Sequence, residues 1–372
     1  MGSDVNFENR VKALTFARGR VALAVILRAL DVREGDEVII QAFTCIAVPE
    51  AIMAIGAKPI YADIEPDGFN IDPAAVESAI TDRTRAIVIQ HTFGLLADMA
   101  PITDIATRHK LPLIEDCCHS FLSKFRGEYV GTIGTAAFYS YEWGKPLICG
   151  VGGSAYTGDD KLAKAIANIR SEFAESSVLQ DMQLALQYRV FSILYQPALF
   201  WWLRDTFRLL SRFKLAKGNY SPLSANDVSP DFSMRMARTS QKILDRKFAY
   251  IHEYAARSRE ITASYSERIN SKQVTHPQPL ADTEAVYARY PLRVVDKDAL
   301  LDKARTARLE MANWYVSPIH PLEKSEWEKA SYTPGQCPNA EQRCREIVSL
   351  PVNNKVDDRY VDAIANLFAN SL

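Results

Sequence analysis

Three short stretches of the 372-residue chain join reactive side chains to local patterns that would present them. In the first, an apolar run ends in Ile114-Glu115-Asp116 and continues into Cys117-Cys118-His119. A carboxylate at the carboxyl end of a strand can pair with a buried cationic ring nitrogen, or it can simply cap the next turn. In the second, Ala136-Ala-Phe-Tyr-Ser140 leads through Tyr141-Glu142-Trp143-Gly144 into Lys145, with Gly150, Gly152 and Gly153 beyond. A lone lysine is ordinarily a solvated surface group, but an amine among aromatic neighbours is partly desolvated, which suits it to Schiff-base formation and then proton transfer. Ser140, five residues before the lysine, offers a hydroxyl to a phosphate. In the third, Arg18-Gly19-Arg20 precedes a helical pattern over Val21–Leu30, so that glycine exposes backbone N–H groups to an anion and Arg20 adds a forked cation. Each stretch alone has an ordinary reading as a cap, a surface charge or a basic turn. Together they supply what pyridoxal 5'-phosphate needs: a phosphate cradle, a Schiff-base lysine and a carboxylate that keeps the pyridine nitrogen protonated, making the ring an electron sink.

The elements that must carry these groups alternate. Helical patterns at Val21–Leu30, Pro49–Ile55, Ala74–Ile80 and Ile102–His109 are separated by short apolar runs at Glu37–Ile40, Pro59–Ala62, Arg85–Gln90 and Leu111–Ile114. Such an α/β chain folds as a mostly parallel sheet covered by helices on both faces, with ligands at the carboxyl ends of its strands. After Ala155 the pattern changes: Lys161–Glu175 is helical, Met182–Phe213 is aromatic and aliphatic, Met234 to about Ile269 reads as one long amphipathic helix, and Ser271–Pro279 reads as a linker. The expected organisation is a large domain over 1–232 with an inserted helical segment at about 176–230, then a connecting helix and a smaller C-terminal α/β domain over 233–372.

Composition removes other function classes. With 44 Lys+Arg against 45 Asp+Glu and a net charge of −1, the chain lacks the basic surplus that nucleic-acid binding requires. The six cysteines form no CxxC pair and have no histidines at zinc spacing, so the expectation is reduced thiols and no metal. Met1-Gly2-Ser3-Asp4-Val5-Asn6 has neither the regions of a signal peptide nor a myristoylation pattern, which points to the cytoplasm. Gly150-Val-Gly152-Gly-Ser-Ala155 matches a dinucleotide fingerprint, but Tyr156-Thr-Gly-Asp159 reads as a strand entering a turn where that fingerprint needs a helix. Val190–Leu203 is uncharged, carries Trp201 and Trp202 and is followed by Arg204, Arg208, Arg212 and Lys214. It falls short of the roughly 20 residues that span a bilayer. A peripheral membrane contact over 190–214, at the inner face, and a lid or dimer-interface helix both fit it.

In order along the chain, these residues resemble the DegT/StrS group of fold type I pyridoxal phosphate aminotransferases. The resemblance runs from about Ala17 to the C-terminus through Gly35-Asp36-Glu37-Val38-Ile39, Gly56-Ala57-Lys58-Pro59 with Asp63, Gly94 with Ala97-Asp98-Met99, Ile114-Glu115-Asp116 and Ser140 to Lys145. It continues through Gly152-Gly153, Ser317-Pro318-Ile319-His320, Pro338-Asn339-Ala340-Glu341 and Ser349-Leu350-Pro351. It implies that Lys145 holds the cofactor as an internal aldimine and moves the proton, that Asp116 pairs with the pyridine nitrogen, that His119 faces the ring, and that Gly19, Arg20 and Ser140 hold the phosphate. It also implies a ping-pong transfer from an amino acid, glutamate by analogy, to a keto-sugar, usually nucleotide-linked. A homodimer with composite sites is implied as well, with Ser233 and Arg235 reaching the partner's cofactor phosphate and Arg235 and His320 holding substrate. The sequence departs from the group in five places: Arg20 stands where Thr or Ser is commoner, keeping the anion-binding logic; Cys45 stands where an aromatic residue usually stacks on the ring, with Phe43 or Phe93 as substitutes; Ser233 stands where Asn is usual; the segment before the phosphate loop is short; and the connection from Gly153 to Phe232 is long. A sugar dehydratase of the same scaffold would have histidine in place of Lys145, and a regulatory member would be expected to lose these ligands.

Overall fold

The computed structural model describes Val11, residues 14–212 and residues 229–371. The N-terminal residues and the insertion beyond residue 212, including Lys214, lie outside the described residues.

The main sheet has seven strands: β1 (Leu14–Phe16), β2 (Glu37–Gln41), β4 (Lys58–Ala62), β5 (Thr84–Gln90), β6 (Leu113–Asp116), β7 (Ala136–Ser140) and β8 (Gly153–Tyr156), while β3 (Thr44–Cys45) lies outside it. Their order is β1-β8-β7-β6-β5-β2-β4, and β8 alone runs against the rest. The strands are apolar on both sides because both faces are covered. Val38, Ile40, Ile114 and Phe138 enter one core with the helix Gly19–Ala29 (α1), whereas Ile39, Leu113, Ala137 and Tyr139 enter the other. Every residue of α1 from Gly19 to Leu27 is buried, as expected of a helix that is apolar all round.

Close backbone approach fixes the start of α1. A Cβ on Gly153 would lie 2.3 Å from the Gly19 nitrogen, and one on Gly19 would lie 3.0 Å from the Ser140 Cβ. The Gly150–Ala155 run is therefore not a dinucleotide turn: Gly153–Tyr156 forms strand β8, and its glycine lets α1 abut the sheet.

After β8 come α2 (Asp160–Ser171), α3 (Val178–Leu194) and α4 (Phe200–Arg212). The single long helix expected from Met234 to Ile269 is two, α5 (Arg238–Phe248) and α6 (Ile251–Arg268). The break at Ala249-Tyr250 lets Phe248 pack edge-on against Phe121, 5.4 Å away, while Ile251 restarts the buried face. Ser271–Pro279 is not a bare linker either. Val274–Thr275 (β9) joins β10 (Arg289–Val294) and β12 (Ile347–Pro351) in an antiparallel sheet, and β11 (Ile319–His320) pairs in parallel with β3. The small C-terminal unit shares one apolar core with the large one, from Val21 and Ile26 through to Leu292 and Phe368.

Candidate active site

Strand alternation decides which of two adjacent carboxylates serves the cavity. Asp116 pairs in register with Gln90 and Phe138 and lines a cavity at the carboxyl end of the sheet. Glu115 points to the other face, where it accepts the N–H groups of Gly131, Ile133 and Gly134 and staples that loop. His91 and Cys117 stand beside Glu115 in a metal-like cluster. The carboxylate's acceptors are already occupied, however, and burial pushes the Cys117 thiol well above its ordinary pKa, which leaves a structural knot. Asp116 accepts the Cys118 N–H at 3.0 Å, so it caps the turn as well as facing the cavity. Burial raises its pKa, outweighing that bond and the charge of Lys145, so a cation placed against it would be strongly held.

The amine lies across the cavity. Lys145 Nζ is 2.8 Å from His119 Nε2 and 5.5 Å from the Trp314 ring centre. His119 Nδ1 accepts the Phe93 N–H at 3.2 Å, and its ring stacks on Phe93 at 8°. Burial, followed by the charge of Lys145, holds the imidazole pKa well below 6.5, so the ring is neutral. With Nδ1 accepting the Phe93 N–H, the neutral ring carries its proton on Nε2, the atom that faces Lys145 Nζ.

The third corner is an open helix end. Arg18, the residue before α1, is extended and gives no side-chain cap, and no acidic residue occupies the first turn, so the first N–H groups of α1 face the cavity beside Ser140. This donor set fits a phosphate. The arginine beside it behaves differently from the sequence expectation: Arg20 lines the cavity, but its Nη1 is 2.9 Å from Glu50 and its Nη2 is 3.8 Å from Asp231. Arg18 completes a buried ionic cluster with Asp231 at 2.5 Å and Glu142 at 3.1 Å. Burial alone would lower the Arg18 pKa, but the two carboxylates outweigh it and hold the guanidinium above its ordinary value. The cluster buttresses the start of α1, and the anion contact is left chiefly to backbone N–H groups and Ser140.

The cavity thus gathers Gly19, Arg20, Cys45, Asp116, His119, Ser140 and Lys145. Phe43 and Phe93 do not line it. Both are fully buried, Phe43 edge-on to Tyr315 at 5.0 Å and Phe93 beneath His119, so neither replaces the aromatic residue missing at Cys45. Trp143, Trp314 and Tyr315 do line it. The two C-terminal residues carried no local signal, though their neighbour His320 did. His320 stands one layer back: its Nε2 accepts the Trp314 indole N–H at 3.0 Å, its Nδ1 lies 3.3 Å from the Val316 nitrogen, and it is the register partner of Cys45. It therefore sets Trp314 rather than lining the cavity. Ser233 and Arg235 lie away from this chain's cavity, with Arg235 donating to the carbonyls of Arg170 and Ser171 and lying 3.7 Å from Glu175.

A family model for DegT/DnrJ/EryC1/StrS aminotransferases matches residues 5–194 and 202–369. The chain belongs to that family. This aminotransferase is 30% identical over 357 residues to a pleiotropic regulatory protein of Geobacillus stearothermophilus, covering 94% of this chain and 82% of that one. It is 28% identical over 360 residues to the UDP-2-acetamido-2-deoxy-3-oxo-D-glucuronate aminotransferase of Pseudomonas aeruginosa, covering 96% and 85%. Identity rises to 42% with the L-glutamine:scyllo-inosose aminotransferase of Streptomyces griseus, but over 154 residues, 41% of this chain and 36% of that one. Among solved structures, S. venezuelae DesV with a ketimine intermediate matches at a TM-score of 0.75, with 24% identity and coverage of 98% and 87%. The pyridoxamine phosphate form of the putative sugar aminotransferase Spr1654 of Streptococcus pneumoniae matches at a TM-score of 0.77, with 18% identity and coverage of 99% and 90%. The fold is that of the type I pyridoxal phosphate aminotransferases, and pyridoxal phosphate is the family's cofactor. The residues present fit it: an open helix end and Ser140 for the phosphate, Asp116 for the ring nitrogen and Lys145 for the carbonyl carbon.

Proposed function

We propose that this aminotransferase carries an amino group from an amino acid, glutamate or its amide, to the ketone of a polyhydroxylated ring, with a nucleotide-linked keto-sugar as the leading acceptor and a keto-cyclitol or lipid-linked ketone as alternatives. The acceptors named for the Pseudomonas and Streptomyces relatives support this range. The product would enter amino-sugar and polysaccharide synthesis. The observation that carries the reading is the 2.8 Å contact of Lys145 Nζ with a neutral His119 in the cavity that also holds Asp116. Bound pyridoxal phosphate supplies an electron sink for the carbanion formed when the donor's α-proton is removed. Asp116 keeps the ring nitrogen protonated. His119 orients Lys145, and the Lys145 amine carries the proton off the donor's α-carbon and returns it on the other side of the transfer. Trp143, Trp314 and Tyr315 exclude water from that step.

A homodimer belongs to the same reading, with Ser233 and Arg235 of one copy completing the partner's site and Arg235 and His320 acting on substrate, His320 through Trp314. A cytoplasmic location fits it as well; among the described residues no helix is long and apolar enough to cross a membrane. The test is the visible absorption spectrum of the protein loaded with pyridoxal phosphate. A Schiff-base band that is lost in Lys145→Ala and bleached by glutamate or glutamine supports the reading. A wild-type protein that shows no band overturns it in favour of a non-catalytic family member, the alternative raised by the regulatory relative.

A further inference from the structure

Helix α3 is apolar on two opposite faces, and the other described residues cover one of them. On the covered face Leu184 packs with Val151 and Ala237, Tyr188 and Phe191 lie against Trp143 at 6.4 and 4.5 Å, and Asp181 accepts the Thr239 N–H. Just beyond the helix, Tyr195 stacks on Phe191 and donates to Glu310 at 2.7 Å. At 100° per residue these side chains share an arc of about 80°. Half a turn away, Leu179, Met182, Leu186, Val190 and Ile193 occupy a second arc of about 80°. They are between 45% and 76% exposed, with Val178 at the edge. A helix apolar on both faces is built to be covered on both.

We propose that a second copy of this chain covers the exposed face, through an antiparallel α3–α3 pairing about a two-fold axis at Leu186. The spacing is palindromic: Met182 and Val190 lie equally far from Leu186 on either side, as do Leu179 and Ile193. A two-fold rotation at Leu186 therefore lays Met182 on the partner copy's Val190 position and Leu179 on its Ile193 position, the self-complementarity that a closed dimer requires. The steps of three and four residues make a helix–helix seam. The stripe is about 21 Å long and offers on the order of 700 Å² of surface, close to the ~800 Å² per partner of a standard interface. A lipid surface fits less well, because a bilayer-docking helix has a basic polar face and α3 has glutamines at 180, 183 and 187, Asp181, and Arg189 as its one basic residue. The helix is also held ready, with a capping box at Ser177 and Gln180 at one end and the Tyr195–Glu310 bond at the other, so little ordering entropy opposes pairing. The interface backs directly onto Trp143, so a partner copy would steady the wall of the cavity.

This assignment deepens the homodimer of the proposed function and rests on it for its symmetry. The test uses the full chain loaded with pyridoxal phosphate. Light scattering on a sizing column should show Leu186→Glu at half the wild-type mass, with the far-ultraviolet spectrum and Schiff-base band retained. Leu186→Cys treated with a short bismaleimide should give a covalent dimer on a denaturing gel that wild type does not. An unchanged mass for Leu186→Glu, or no additional cross-link for Leu186→Cys, overturns the α3 interface while leaving the dimer and the chemistry intact; a monomeric wild type overturns both the interface and the dimer. Flotation of wild type, but not Leu186→Glu, with vesicles of neutral and anionic phospholipid would assign the stripe to a membrane instead.

Discussion

Asp116, Ser140 and the Gly19-Arg20 turn reach the cavity from two strand ends and a helix start within one sheet, each aimed by the alternation or close packing of its own element. Trp143, Trp314 and Tyr315 reach the same cavity from outside that sheet. Trp143 leans on Phe191 of α3, and α3 is anchored through Tyr195 to Glu310, which pairs with buried Arg289 of the small unit at 2.9 Å. Trp314 is held by His320, whose strand β11 zips onto β3. The floor is local and chemically specified. The aromatic wall is assembled at long range, and its geometry depends on groups that never meet a ligand.

Five measurements would break or sharpen that contrast. Lys145→Ala on the floor should lower amino transfer by about 10⁴-fold, the combined loss of covalent anchor and general base, with the thermal midpoint of the apo form almost unchanged. Glu310→Ala in the wall's anchor should do the reverse. It leaves Arg289 charged and buried, so denaturant titration should show a stability loss of about 3–5 kcal/mol, while the folded fraction keeps its Schiff-base band. A variant of Glu310 as stable as wild type would mean that the wall is not anchored there. Asp116→Asn keeps the shape but removes the charge proposed to pair with the ring nitrogen. A fall of about 10²-fold in the rate of bleaching by the amino donor is expected, measured by stopped flow.

Acid should act on the floor through His119. Its native pKa lies well below the unfolded value of 6.5, so below that pH the unfolded chain binds a proton that the folded chain does not. This group's contribution is therefore fully present above pH 6.5 and is lost as pH falls, by up to about 1.4 kcal/mol per pH unit. Urea midpoints of the apo protein at neutral pH and at about pH 5.5 should differ less in His119→Gln than in wild type. The smallest effect is expected for His320→Gln. Loosening one indole hydrogen bond is worth about 1 kcal/mol, so kcat/KM should drop about fivefold with Schiff-base absorbance unchanged. A loss of that absorbance would place His320 on the floor instead.

The legible part of the site was the part written in neighbouring residues. Asp116, Ser140, Lys145 and Gly19 stand out because a strand end, a hydroxyl, a desolvated amine and a helix start each leave a local pattern. Arg20 was legible as a cation in the cavity, but its partners Glu50 and Asp231 lie 30 and 211 residues further along the chain, so its pairing was not. Phe43 and Phe93 had the right chemistry to replace the ring-stacking residue. Packing against Tyr315 and His119 buried them beneath the site instead of within it.

The sequence by itself determined the alternating α/β order, the reactive groups at the strand ends and the absence of a bilayer-spanning run at 190–203, because these follow from residue type and from periods of two and 3.6 along one element. Tertiary structure alone decided that Asp116 rather than Glu115 faces the cavity and that the expected long helix breaks at Ala249. It also decided that Trp201, which by sequence could have met lipid, is buried with its indole bonded to the Leu309 carbonyl at 2.7 Å. Those outcomes depend on which surfaces meet between separate elements, and a chain's local preferences are silent on that until its elements compete for the same core.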